Sequence, residues 1–157
     1  MTVYVAVFGP GVATAEQESS AEEVGRLLAE ARAVVVCGGL GGVMDAAARG
    51  ARAAGGMAVG ILPGTTRLEA SEHLTVAVPT GMGEARNVLV VRAADAVIAI
   101  AGEFGTLSEI ALALKLGKPV VGLETWEVSR SEGGDDPIVR AGDPPEAVAR
   151  ALELAAG

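Results

Sequence analysis

Residues 1–157 predict one α/β domain built on a doubly wound parallel sheet of six to seven strands, with helices on both faces. Three observations carry this. Short apolar runs alternate with helical segments along the chain, as right-handed crossovers require. The runs lack in-out alternation, so each strand is covered on both sides. The first five strands end in glycine or proline: Gly9-Pro10, Gly38-Gly39, Pro63-Gly64, Pro79-Thr80 and Ala101-Gly102.

Val3–Phe8 is the first strand, leading into Gly9-Pro10-Gly11. Glu22–Arg32 reads as a helix with Val24, Leu27 and Leu28 on one stripe. Ser19 and Ser20 each precede a glutamate by three residues, so a capping box is expected there. Val34–Cys37 is the second strand, followed by Gly38-Gly39-Leu40-Gly41-Gly42 and an alanine-rich helix over Val43–Ala54. Ala58–Leu62 runs into Pro63-Gly64-Thr65, and Leu74–Val78 into Pro79-Thr80-Gly81. By composition Val88–Val91 suits a strand. Glu84–Ala94 is nevertheless predicted helical, because a strand would leave no crossover before the buried strand Asp95–Ile100. Thr106–Leu116 is a helix stopped by Gly117, with Pro119 beyond. Val120–Leu123 is the sixth strand. Glu124–Gly142 is a polar turn region holding one apolar pair, Ile138-Val139. Asp143 caps a final helix that has Pro144 in its first position and Glu146 in its first turn.

Composition narrows the partners. A chain of this length buries roughly 68–70% of its unfolded surface and needs no staples. Half its residues are hydrophobic but only 3% aromatic, so the core is Val, Leu, Ile and Ala. The formal charge of −8 repels nucleic acid and anionic membranes, and neither is expected as a partner. Cys37 is the one cysteine. It cannot form an intrachain disulfide, which fits a reducing cytoplasm. No apolar run reaches the roughly 18 residues of a membrane span, and no signal-like segment opens the chain.

The glycines locate a site. In a doubly wound sheet the carboxyl ends of the strands share one edge, and ligands bind where the strand order switches. Helices begin on that edge, offering free N–H groups and about half a positive charge. Glycines there let the backbone approach an anion. Gly38–Gly42 and Gly102–Thr106 are the foremost such loops. The dinucleotide fingerprint is absent, since Thr14 and Met44 stand where a third glycine belongs, and there is no Walker lysine. Arg86 and Arg67, both beyond strand ends, are the cations expected to meet the ligand. Glu109 has two readings. It closes a capping box with Thr106, or it is a functional carboxylate. Thr106 caps the helix or bonds a phosphate oxygen. Asp45 suits the helix dipole, Cys37 a buried apolar position, His73 a loop and Trp126 an edge of the core; no metal site is proposed. Val88–Val91 and Ile110–Leu116, apolar nearly all round, predict a homo-oligomer interface, in a dimer or dimer-based tetramer.

Four motifs occur in order: Gly38-Gly39-Leu40-Gly41-Gly42-Val43-Met44-Asp45; Gly60-Ile61-Leu62-Pro63-Gly64-Thr65; Gly81-Met82-Gly83-Glu84-Ala85-Arg86-Asn87; and Gly102-Glu103-Phe104-Gly105-Thr106-Leu107-Ser108-Glu109. The series resembles the Lonely-Guy-like, Rossmann-type group once labelled "possible lysine decarboxylase", and within it the molybdenum cofactor carrier branch. The resemblance runs from Val3 to about Leu123. It implies a carrier for the molybdenum cofactor, a pterin with a terminal phosphate. Together with the glycine edge, it makes Gly9, Gly38, Gly39, Gly41, Gly42, Gly64, Thr65, Arg67, Arg86, Asn87, Gly102, Glu103, Gly105 and Thr106 the expected ligand-binding residues. The enzyme branch implies an alternative, a phosphoribohydrolase of cytokinin riboside 5'-monophosphates, with Arg86 and Glu109 catalytic. That branch has Arg-Lys where this chain has Arg86-Asn87, and a second glutamate where it has Ser108. Glu103 replaces a glycine of the same loop. These departures favour the carrier. A pyridoxal phosphate decarboxylase is rejected, because the only lysines, Lys115 and Lys118, fall at the far end of their helix.

Overall fold

The strands β1 (Tyr4–Phe8), β2 (Val34–Cys37), β3 (Ala58–Leu62), β4 (Val76–Pro79), β5 (Ala96–Ile100), β6 (Val120–Leu123) and β7 (Val139–Arg140) form one sheet in the computed structural model, which describes all 157 residues. Their order is β4-β3-β2-β1-β5-β6-β7, and each neighbouring pair is parallel. The expected doubly wound sheet is therefore present, with Val139 supplying the seventh strand. The helices are α1 (Ala15–Glu30), α2 (Val43–Ala53), α3 (Asn87–Ala93), α4 (Phe104–Lys115) and α5 (Pro144–Ala156), and a 3-10 turn over Gly83–Arg86 leads into α3.

Side-chain alternation along each strand divides the core in two. Val5, Val7, Val35 and Ile98 pack on one face against α1, α2 and α5, through residues such as Val24, Leu28, Ala47 and Val148. Ala6, Phe8, Val36 and Val97 pack on the other against α3 and α4, through Val90, Val91, Ile110 and Ala113. Strands β1, β2, β5 and β6 are buried at nearly every residue, which accounts for their unbroken apolar composition. After β4 the chain crosses back to place β5 beside β1, so the switch of strand order lies between those two strands.

Two helix starts differ from expectation. Helix α1 begins at Ala15, not near Glu22. Its cap is Thr14, whose hydroxyl accepts from the Gln17 amide at 3.2 Å while the Gln17 side chain accepts from the Thr14 amide at 3.0 Å. Thr14-x-x-Gln17 is itself a capping box, and it overrides Ser19 and Ser20, which lie within the helix. Helix α4 begins at Phe104. Thr106 is thus inside it and makes no cap with Glu109; the N-cap is Glu103, with no side-chain cap bond. Asp143 caps α5 as expected, accepting from the Glu146 amide at 2.9 Å. No helix is long and apolar enough to cross a membrane.

Candidate functional site

The turns after β1 and β5 flank the switch point, and the start of α2 closes it from the side. Gly42, the N-cap of α2, has φ 61° and no side chain to cap the helix. A Cβ there would collide with the Pro10 carbonyl, and the Val43 amide donates to that same carbonyl at 3.1 Å. The β1 turn and the α2 start are thereby held against each other, with the amide end of α2 directed at the same edge. Gly102, with φ 133°, lets the β5 turn close onto Thr106, whose side chain would lie 2.7 Å from an added Cβ.

Arg86 fills the space these turns leave. Its residue is 6% exposed. The guanidinium lies over Gly38, where a Cβ would come within 2.6 Å of Nη2. Nη1 donates to Asn87 Oδ1 and stands 3.9 Å from Glu109 Oε1, while Nε is buried with no partner. An unpaired buried donor on a charged group is costly unless something else accepts from it. Burial lowers the Arg86 pKa against the pull of Glu109, and guanidinium remains the charged form at any ordinary pH. Burial also pushes the Glu109 carboxyl up to about 7, with Arg86 drawing it back. At 3.9 Å the pair is beyond hydrogen-bond reach, so desolvation outweighs attraction for both partners.

This cleft, of about 310 Å³, brings together Gly9, Arg86, Asn87, Glu103, Gly105, Thr106 and Glu109. Gly38, Gly39, Gly41, Gly42 and Gly102 do not line it. Gly38, Gly42 and Gly102 shape it from behind, and Gly39 packs on Leu62 and Leu74. Gly64, Thr65 and Arg67 also lie outside the lining; Arg67 is exposed and its Nε donates to the Ala77 carbonyl at 3.1 Å. Pro10, Gly11, Leu40, Met44, Pro63 and Glu84 line the cleft without having been singled out. All six lie within the quoted glycine turns and motifs.

Other polar residues serve the fold. Burial tends to raise the Asp45 pKa, but Ser71 Oγ at 2.5 Å and His73 Nδ1 at 2.9 Å bind the carboxylate and hold it below the usual value. Asp45 therefore ties the 71–73 loop to α2 beyond any dipole effect. Cys37 is buried, its thiol pushed up to about 11 by burial, so it is not a nucleophile at neutral pH. Trp126 stacks on Phe104 with ring centroids 5.6 Å apart and donates to the Glu103 carbonyl at 3.2 Å, fixing the turn that opens α4. No group of three or more His, Cys, Asp or Glu side chains is placed to hold a metal ion. A larger depression, about 660 Å³, lies along α1 and α2; its Arg26 is engaged by Glu23 and Glu30, leaving no cation for an anion.

The buried carboxyl makes stability depend on pH. Its folded pKa is raised, so the folded state holds an extra proton between about pH 4.5 and 7, and stability is lost as pH rises through that window. A shift of this size corresponds to about 3 kcal/mol. Glu109→Gln is expected to match the wild type near pH 4.5 and to exceed it by about 3 kcal/mol at pH 8, as read by urea unfolding at both pH values.

Comparison with known proteins gives the family and the fold. The model of the SLOG cluster4 family matches residues 2–148. An uncharacterized protein of Archaeoglobus fulgidus is 45% identical over 120 residues, covering 76% of this chain and 79% of that one. The structure is similar to that of the molybdenum cofactor binding protein from the phototrophic bacterium Rippkaea orientalis, with a TM-score of 0.88 and 33% identity over 98% of each chain. It is also similar to the molybdenum cofactor carrier protein of Chlamydomonas reinhardtii, with a TM-score of 0.87 and 32% identity over 100% of both chains. The family expected from the ordered motifs is the one found.

Proposed function

The chain belongs to the SLOG cluster4 family, and from that premise we propose that it is a binding or carrier protein for a phosphorylated small molecule, with the molybdenum cofactor as its cargo. One observation carries the reading: Arg86 is buried with an unpartnered Nε at a switch point where two helices, α2 and α4, start without side-chain caps. A phosphate accepts from guanidinium and from helix-terminal amides at once, and would satisfy what the protein leaves unpaired. The donor set thus fits the terminal phosphate of the cargo. The cleft is at the small end of ligand sites. It shares Glu84, Asn87 and Gly105 with a neighbouring groove of about 600 Å³ walled by Val88, Phe104 and Leu112, which offers room for a ring system.

Apolar surface beside this groove supports self-association, carried by exposed side chains and not by Val90, Val91, Ile110 and Ala113 of the two apolar stretches, which are buried in the core. Leu89 and Phe104 are exposed apolar side chains on α3 and α4, with Met82 close before them. A second copy covering this face would shield both the apolar surface and the ring end of the ligand. Native mass spectrometry of protein purified without added ligand tests both points. The expected spectrum shows a dimer or tetramer carrying a phosphopterin mass; an empty monomer would contradict both.

The meeting of Arg86 and Glu109 in one cleft favours a second reading, the phosphoribohydrolase, because Glu109 is not spent on a helix cap. Asn87 and Ser108 still depart from the enzyme pattern. Incubation with AMP and cytokinin riboside monophosphates is expected to release no free base; prompt release would make the protein an enzyme.

A further inference from the structure

Glu109 is the least explained group in the cleft. Its side chain is 12% exposed. It lines the site, and it stands closer to the guanidinium than two separately solvated ions would, yet without a hydrogen bond. The other ionisable groups around it give it no support. Glu84, beside Arg86 on the 3-10 turn, and Glu103, before α4, line the same cleft with like charge. Asp45 on α2 is committed to Ser71, His73 and Arg49. Cys37 at the end of β2 is a buried thiol. Arg86 is thus the only cation lining the cleft, and a ligand anion seated on it would lie within a few ångströms of Glu109.

Two anions cannot share one cation in a desolvated space without strong repulsion, and like charges at such range drive one group to the neutral form. A protonated carboxyl is a hydrogen-bond donor, and a phosphate oxygen is a strong acceptor. We propose, building on the anion site above, that Glu109 is a ligand-binding residue in its neutral form: its carboxyl O–H donates to the oxyanion held by Arg86, so binding takes up a proton and weakens as pH rises. The free carboxyl is already displaced to about 7 by burial, which makes the proton available near neutrality.

Sulfate is the test ligand because it does not itself titrate between pH 6 and 9. Its affinity is followed by NMR titration of the backbone amides. Wild-type affinity is expected to fall about tenfold per pH unit above pH 7, roughly a hundredfold from pH 6 to 9. Glu109→Gln, which leaves no carboxyl to titrate, is expected to show a flat profile. If that variant fails to fold, calorimetry of the wild type at pH 8 in buffers of different ionisation enthalpy is expected to count close to one proton taken up per sulfate. A flat wild-type profile, an unchanged slope in the variant, or no proton uptake would overturn the proposal while leaving the anion site standing. Absence of sulfate binding at every pH would overturn both.

Discussion

Arg86→Leu is expected to lose binding of phosphate-bearing ligands while the fold keeps its stability. The two effects have one cause. In the wild type the guanidinium is desolvated, short of partners and packed over Gly38, so the fold bears its cost and a bound anion would recover it. Truncating one side of a buried, hydrogen-bonded charge pair costs about 2–5 kcal/mol of binding, which is roughly thirty-fold to several thousand-fold in affinity. Replacing a poorly satisfied buried charge by an apolar side chain of similar volume is commonly neutral or stabilising, by about 1–4 kcal/mol. Glu109 loses its counter-charge in the variant, but its carboxyl is already disposed to be neutral. Calorimetry with AMP as probe, alongside thermal unfolding, checks both halves. A variant that still binds, or one that unfolds, would show that Arg86 serves packing and not an anion.

Gly50→Ala is expected to destabilise the protein even though it improves helix propensity. In an exposed helix the change would gain about 1 kcal/mol. Here Gly50 is buried in α2, and a Cβ would fall on the Glu22 carbonyl of α1; Gly25 of α1 stands in the same relation to the Ala47 carbonyl of α2. The helices touch backbone to backbone at two reciprocal points, so an added methyl must push them apart and open the core between them. Overpacking of this kind costs about 1–3 kcal/mol or more, and the obstacle is main chain, which cannot rotate away. A drop of roughly 3–10 °C in Tm is expected for a domain of this size. An unchanged or raised Tm would mean that α1 and α2 are not so closely packed.

The sheet and its glycine-bearing edge are legible because they rest on local, repeated signals: apolar β-branched runs, the first five of them ending in glycine or proline. Helix starts were less so. Thr14-x-x-Gln17 and the serines ahead of Glu22 and Glu23 are both capping boxes by composition, and choosing between them depends on how α1 lies against α2. The start of α4 depends on Trp126, which holds the Glu103 carbonyl from far along the chain. That displacement decides the role of Glu109. With the helix begun at Phe104, Thr106 and Ile110 are buried and Glu109 lines the cleft, a choice that the spacing Thr106-x-x-Glu109 left open. The seat of Arg86 over Gly38 and the contacts of Gly25 and Gly50 join residues distant in sequence, and a glycine inside a helix carries no mark of what it must admit.

A phosphate-bearing ligand is expected to dock at the β1–β5 switch point, held by Arg86 and by the amides that open α2 and α4. A crystal structure of the protein soaked with AMP tests it most directly. The phosphate is expected within hydrogen-bond distance of Arg86 Nε, with main-chain N–H groups of the α2 or α4 start completing its contacts. A phosphate bound elsewhere on the surface, or a cleft still vacant at saturating AMP, would contradict it.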